Sequence, residues 1–315
     1  MAEAGTARRV GIVGVGVVGA SFAYALMQRG LADDLVLIDT DTARAEGEAM
    51  DLNHGLAFAS PMRIRAGTYA DLSDAAAVVV CAGRNQRVGE SRLDLLRHNA
   101  AVVSEVVPHV QLGNRSAVIV IATNPVDVLT HLAATLVGSD GRVIGSGTIL
   151  DTARFRYLLG EHYGVDPRSV HAYVVGEHGD SEVPLWSSAA VGGVKLERFV
   201  GPNGRGYDQA ALDGIFEATR MAAYEIIRRK RASYYAIGLG LVAIVAAILR
   251  DQHTLLTVST RLRGVYGVED MALSLPTIVG RRGVERVLDV PMSPAEADAF
   301  RRSAELLSEH RRSIP

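Results

Sequence analysis

Cysteine is all but missing from this chain of 315 residues: Cys81 stands alone, inside the apolar run 78-VVVCAG-83. A single cysteine excludes a disulfide framework and fits a reducing, cytoplasmic setting, with the thiol itself buried and inert. An excess of one charge is missing too, the formal net charge being −2. No whole-chain field therefore draws the protein to nucleic acid or to an anionic membrane. The one dense basic cluster, 228-RRKR-231, lies in a helical pattern and reads as a solvated or interface face. Long apolar runs are equally scarce. Only 233-SYYAIGLGLVAIVAAIL-249 nears spanning length, and its glycines and isolation favour a helix buried between two lobes. The opening 1-MAEAGTARR-9 lacks the apolar core of a secretory leader. Linkers, repeats and low-complexity tracts are absent as well.

What is present is rhythm. Short β-branched runs alternate with helical stretches across residues 9–150. The strand candidates are 10-VGIVG-14, 35-LVLID-39, 63-RIRAG-67, 77-AVVVCAG-83, 117-AVIVIA-122 and 143-VIGSG-147. Continuous apolar runs of this length suit parallel strands covered on both faces. Strand, crossover and strand in repetition predict a Rossmann-type doubly wound α/β sheet over residues 1–150. The pattern then changes to an α+β domain over 151–315. A helix at 151–164 leads to one strand at 170-VHAYVVG-176, long helices fill about 208–250, and two antiparallel strands follow at 254–267 and 271–280. Ser293, Pro294 and Glu296 have the spacing of a capping box that opens a last helix.

After the first strand comes 14-GVGVVG-19. Alone, this glycine pattern also occurs in ordinary tight turns. Here a strand precedes it, a helix follows, and Asp39 ends the next strand. Gly14 suits the tight turn, Gly16 a close approach of pyrophosphate, and Gly19 close packing of helix on sheet. Asp39 can accept hydrogen bonds from an adenosine ribose and would repel a 2′-phosphate, which favours NAD over NADP.

His178, in 174-VVGEHGDSEVPLW-186, sits among glycines and acids where a strand ends. It reads as a surface histidine, a metal ligand or a proton carrier; no second histidine stands at ligand spacing, which removes the metal. Arg154 follows Asp151 by three residues and shares its helix face, as a substrate-gripping arginine or as one half of an ion pair. Asn124, before Pro125, is an amide donor or a simple turn residue. Arg92 follows a loop with glycines at Gly83 and Gly89, as a hinged lid would have.

The segments 82-AGRNQRVGESRLDLL-96, 122-ATNPVD-127, 145-GSGTILDTARFR-156 and 176-GEHGD-180, with the glycine loop, resemble the lactate/malate dehydrogenase family over essentially the whole chain. The resemblance implies that His178 exchanges the proton while NAD carries hydride, that Asp151 orients the ring, and that Arg92 polarises the substrate carbonyl. It implies substrate contacts at Gln86, Arg92, Asn124, Arg154 and Ser233. For the coenzyme it implies Gly14, Gly16, Val18, Gly19, Asp39, Arg44, Tyr69, Gly83, Ser104, Ala122, Asn124 and Ser146. Gln86 stands where malate-reducing members place an arginine. An uncharged side chain there leaves the second carboxylate of oxaloacetate unpaired, so pyruvate and lactate are the expected pair. Arg156 faces away from Arg154 around the helix, and with His171 it matches the fructose 1,6-bisphosphate site of activated bacterial members. An interface arginine and a half-buried histidine without an effector is the other reading. The family further implies a homotetramer, assembled by helix packing. Val88 replaces a usual loop proline and Ser233 a usual threonine.

Overall fold

The structure is a computed structural model, and it describes residues 8–84 and 92–314. Gln86, Val88 and Gly89 lie outside the described residues, and so does the side chain of Arg92.

β1 (Arg9–Val13) passes through the glycine turn into α1 (Val17–Arg29), followed by β2 (Asp34–Ile38), α2 (Thr42–His54), β3 (Arg63–Ala66) and β4 (Ala75–Val80). Next come α3 (Arg92–Gly113), β5 (Val118–Ile121), α4 (Val126–Val137) and β6 (Val143–Gly145). These six strands pair in parallel in the order β3-β2-β1-β4-β5-β6. All five residues of β2 and all four of β5 are buried, as strands covered by helices on both faces must be. The order reverses between β1 and β4, and a doubly wound sheet opens its ligand crevice at the carboxyl ends of the strands on either side of that reversal.

The second half runs through α5 (Ile149–Tyr163), the short strands β7 (Val170–His171), β8 (Val174–Val175), β9 (Val183–Pro184), β10 (Ala190–Val191) and β11 (Val194–Lys195), then α6 (Gln209–Lys230) and α7 (Tyr235–Arg250). It ends with β12 (Thr254–Leu262), β13 (Met271–Gly280), β14 (Gly283–Val287) and α8 (Pro294–Arg312). One strand expected at 170–176 is in fact two, in different sheets: β7 pairs with β10 and β8 with β9. At the break between them the carbonyl of Ala172 accepts from Arg156 Nε at 2.9 Å. The two expected antiparallel strands are present as β12 and β13. They join the first half in one nine-stranded sheet, β14-β13-β12-β6-β5-β4-β1-β2-β3. The seam is a single pair, Ser259 opposite Gly145.

The apolar run near 233–249 is the helix α7, and among the described residues no helix is long and apolar enough to cross a membrane. Leu241, Ile244, Val245, Ala247 and Ile248 are fully buried. On its other contact, a Cβ at Gly238 would lie 3.2 Å from the Ser21 backbone, so α7 packs closely against α1. Gly30 ends α1 at φ +56°, and the expected capping box of α8 is formed by Ser293 and Glu296.

Candidate active site

The glycine loop has the asymmetry a phosphate cradle needs. Gly14 has φ +92°, and a Cβ on it would lie 2.5 Å from Ala82 N; one on Gly19 would lie 2.1 Å from Gly14 O. Gly16 differs: a Cβ there would meet nothing within 4 Å. Two glycines therefore let the chain pack, and the third leaves open space in front of the amides that begin α1. Asp39 reaches back to this loop, its carboxylate accepting from Val15 N at 2.8 Å and from Asp41 N at 3.0 Å. Beside the loop lies a cavity of about 860 Å³ lined by Gly16, Val17, Arg44, Tyr234 and Tyr235 among others. The residues present thus fit a dinucleotide, with room at the helix N-terminus and an acid at the end of β2.

His178 is placed by what holds its loop. Two hydroxyls fasten the start of α5 to β8, as Thr148 Oγ1 donates to Val174 O at 2.5 Å and Val174 N donates to Thr152 Oγ1 at 3.0 Å, and a third from β12 backs them, Thr257 Oγ1 donating to Thr152 Oγ1 at 2.9 Å. Gly176 exchanges two backbone hydrogen bonds with Ser274 of β13, and Glu177 N donates to Ser303 Oγ of α8 at 2.8 Å. His178 N then donates to Asp127 Oδ2 of α4 at 2.7 Å. With the backbone so fixed, His178 Nδ1 stands 2.5 Å from Asp151 Oδ2, and Arg154 donates to Asp151 Oδ1 at 2.9 Å. Asp151 is nearly enclosed, whereas a quarter of the His178 side chain stays open.

Burial opposes charge on the His178 ring. The Asp151 carboxylate, by charge and hydrogen bond, outweighs it with help from Asp127 and Glu182, and the ring is raised to about 9. Burial likewise opposes charge on Asp151, but the His178 ring and Arg154 prevail and hold its carboxyl below the usual range. Burial and the nearby Asp151 push Glu182 up to about 8, and burial pushes Asp127 up to about 6. The resulting state at neutral pH is an imidazolium against a carboxylate.

The sequence-predicted residues fall into groups. His178, Asp151 and Arg154 meet directly. Gly14, Gly16, Val18, Gly19, Asp39 and Arg44 stand around the glycine loop and the start of α2. Gly83 (φ +147°) follows β4, where a Cβ would lie 2.5 Å from Thr123 Cγ2; Ala122 and Asn124 follow β5, and buried Ser146 follows β6. Asn99 Nδ2 holds Asn124 O at 2.7 Å. Ser233 is half-buried between α6 and α7, and Ser104 is exposed on α3. Tyr69 stacks on His109 with ring centroids 5.2 Å apart. Arg156, besides its bond to Ala172 O, lies over the Tyr173 ring at 5.1 Å, and His171 is exposed on β7. The Cys81 thiol is pushed up to about 12 by burial, which leaves it unreactive. Asp127, Glu182 and the three threonines were not singled out as site residues from the sequence. Their only sequence sign is proximity: Asp127 closes the segment 122-ATNPVD-127, and Glu182 lies four residues past His178.

A crevice that holds a dinucleotide at one end and carries a proton-bearing histidine at the other is the framework of a nicotinamide-dependent dehydrogenase. Residues 8–145 match the family model described as lactate/malate dehydrogenase, NAD binding domain, and residues 148–313 match lactate/malate dehydrogenase, alpha/beta C-terminal domain. The chain belongs to the lactate/malate dehydrogenase family, and its coenzyme is NAD. It is 50% identical over 303 residues to an L-lactate dehydrogenase of Nitratidesulfovibrio vulgaris, covering 96% of this chain and 98% of that protein. It is 49% identical over 309 residues to the L-lactate dehydrogenase of Salinibacter ruber, covering 98% of each. The crystal structure of a minor L-lactate dehydrogenase from Enterococcus mundtii superposes with a TM-score of 0.95 at 42% identity, over 99% of both chains.

Proposed function

We propose that the protein interconverts pyruvate and L-lactate with NAD, using residues 1–150 to bind coenzyme and 151–315 to bind substrate. The observation that carries this reading is the 2.5 Å contact between His178 Nδ1 and Asp151 Oδ2, with Arg154 on the other carboxylate oxygen. Because Nδ1 is engaged, the proton for exchange sits on Nε2. Bound NADH supplies the hydride. His178 gives its proton to the ketone oxygen as that oxygen gains charge, and takes it back in the reverse direction. Asp151 steadies the ring in both states. Arg154 keeps further N–H donors beyond the one given to Asp151, and these pair with the substrate carboxylate. Arg92 and Asn124 serve the carbonyl oxygen, Ser233 borders the substrate, and Gln86 sets its size and charge. The cavity by the glycine loop, with Gly16 and Arg44 in its lining, suits the adenosine end of the coenzyme.

Three finer features complete the proposal. The enzyme works as a homotetramer in the cytoplasm, in fermentative glycolysis, and fructose 1,6-bisphosphate activates it through Arg156 and His171. The deciding experiment follows NADH oxidation with pyruvate and with oxaloacetate for the wild type and Gln86→Arg. Pyruvate is the expected wild-type substrate, and the arginine should move preference toward oxaloacetate by at least about 100-fold, since it removes a buried unpaired anion. Wild-type preference for oxaloacetate would make the protein a malate dehydrogenase. Turnover with neither would leave a coenzyme-binding protein without this chemistry.

A further inference from the structure

We propose that Glu182 is a positioning residue that works as an uncharged carboxylic acid: while it keeps its proton, the free N–H donors of Arg154 are left to the substrate carboxylate. The inference rests on the dehydrogenase reading above and deepens it. Glu182 ends the histidine turn, directly before β9, and its backbone N donates to Gly179 O at 3.2 Å. The residue is 7% exposed, and its Oε1 is buried with no hydrogen-bond partner among the described residues.

The other acids of that turn are served. Glu177 accepts from Ser181 Oγ at 2.6 Å, and Asp180 accepts from Tyr224 Oη at 2.8 Å. The charged groups that face Glu182 are His178 from its own turn, Asp151 and Arg154 from α5, and Arg220 from α6. Both arginines have other carboxylates, Arg154 donating to Asp151 at 2.9 Å and Arg220 to Glu217 at 2.7 Å. An ionised carboxylate buried without a donor is costly, and such a group neutralises itself by holding its proton. Burial and the ionised Asp151 together push Glu182 up to about 8.

A charge count gives this proton its purpose. The imidazolium of His178 is matched by Asp151, which leaves the charge of Arg154 for an incoming monocarboxylate. An ionised Glu182 would match Arg154 first, and the substrate would enter as an unpaired anion. Glu182 gives its proton to solvent as pH rises through about 8, ahead of the main fall expected from His178 near 9. Affinity for pyruvate should therefore weaken before turnover does.

The test is a KM-against-kcat split over pH for the wild type and Glu182→Gln, which keeps the shape and is uncharged at every pH. From pH 7 to pH 8.5 the wild-type pyruvate KM should rise about fourfold with kcat nearly level, because the protonated fraction of Glu182 falls from about nine-tenths to about a quarter. In Glu182→Gln the rise should stay below about twofold, the part that His178 alone supplies. Infrared difference spectra across the same pH range should show a protonated-carboxyl band that the wild type loses and the variant lacks. Should the glutamine variant fail to fold, Glu182→Leu, equally uncharged, takes its place. A KM rise that survives the substitution overturns the proposal, and so does the absence of a carboxyl band that depends on Glu182. The infrared measurement needs no turnover. A protein that shows the band and reduces neither pyruvate nor oxaloacetate would reject the dehydrogenase reading. Binding of oxamate, a non-reacting analogue of pyruvate, to the NADH complex would then decide the role of Glu182 by the same weakening with pH.

Discussion

An imidazole that must deliver a proton at neutral pH has to be charged before the substrate arrives. His178 meets that need through its neighbours, which raise it to about 9 against the opposition of burial. Its direction fixes the pH dependence. Pyruvate reduction needs the protonated ring, so kcat/KM for pyruvate is expected to be level through neutrality and to fall as pH rises through about 9. A flat profile to pH 10, or a limb near the ordinary histidine value of about 6.5, would contradict the arrangement. His178→Asn should lower turnover by on the order of 10³-fold while leaving NADH binding intact. The same shift bears on folding. A group raised in the folded state contributes its full stability below its unfolded value, about 6.5, and loses it as pH climbs through about 9. At this scale Arg154 beside Asp151 was legible from their local spacing, whereas the meeting of His178 with Asp151, 27 residues apart, was legible only through the family resemblance. Asp127 was not, since nothing in the sequence says that residue 127 will meet the amide of residue 178.

Elements carry the next layer. The threonine links between α5 and β8 bear on the distance from Asp151 to His178, because Asp151 lies on α5 and His178 on the loop that leaves β8. Thr152→Val keeps the shape and removes a hydroxyl that serves Val174 N and Thr257. It should cost about 1–3 kcal/mol in urea unfolding, the penalty for leaving a buried amide bare, and should lower kcat more than it changes NADH affinity. Unchanged stability would mean that the helix and strand are held by other contacts. Five of the six parallel strands were readable as apolar runs between helical patterns, and α7 as a buried helix, because burial leaves a plain compositional mark, while the edge strand β3 carries Arg63 and Arg65. The break between β7 and β8 was not readable. It depends on which distant strands the two pieces pair with, β10 for β7 and β9 for β8. Nor was β14, whose five residues include Glu285 and Arg286 and show little apolar alternation.

For the whole molecule, Arg156 stands about 200° around α5 from Arg154, bonded to Ala172 O next to His171 of β7. If the bisphosphate binds there between subunits, adding it to dilute protein should shift sedimentation toward the larger species and lower the pyruvate KM. Ligand bound only by the assembled form stabilises that form in proportion to its concentration over Kd. Arg156→Gln should abolish both effects, and a wild type indifferent to the bisphosphate would remove the regulatory proposal. The union of the halves through β6 and β12 was hidden from the sequence, because a seam of one residue pair leaves no pattern.

That nine-stranded sheet also has two free margins, and their character matters for life at high concentration. The outermost strands are β3, four residues with Arg63 and Arg65, and β14, five residues with Glu285 and Arg286. Both are short and charged, so each offers little backbone for a foreign strand to align with and a desolvation penalty to any that tries. The long apolar strands lie inward, out of reach, and the borders of the sheet resist aggregation.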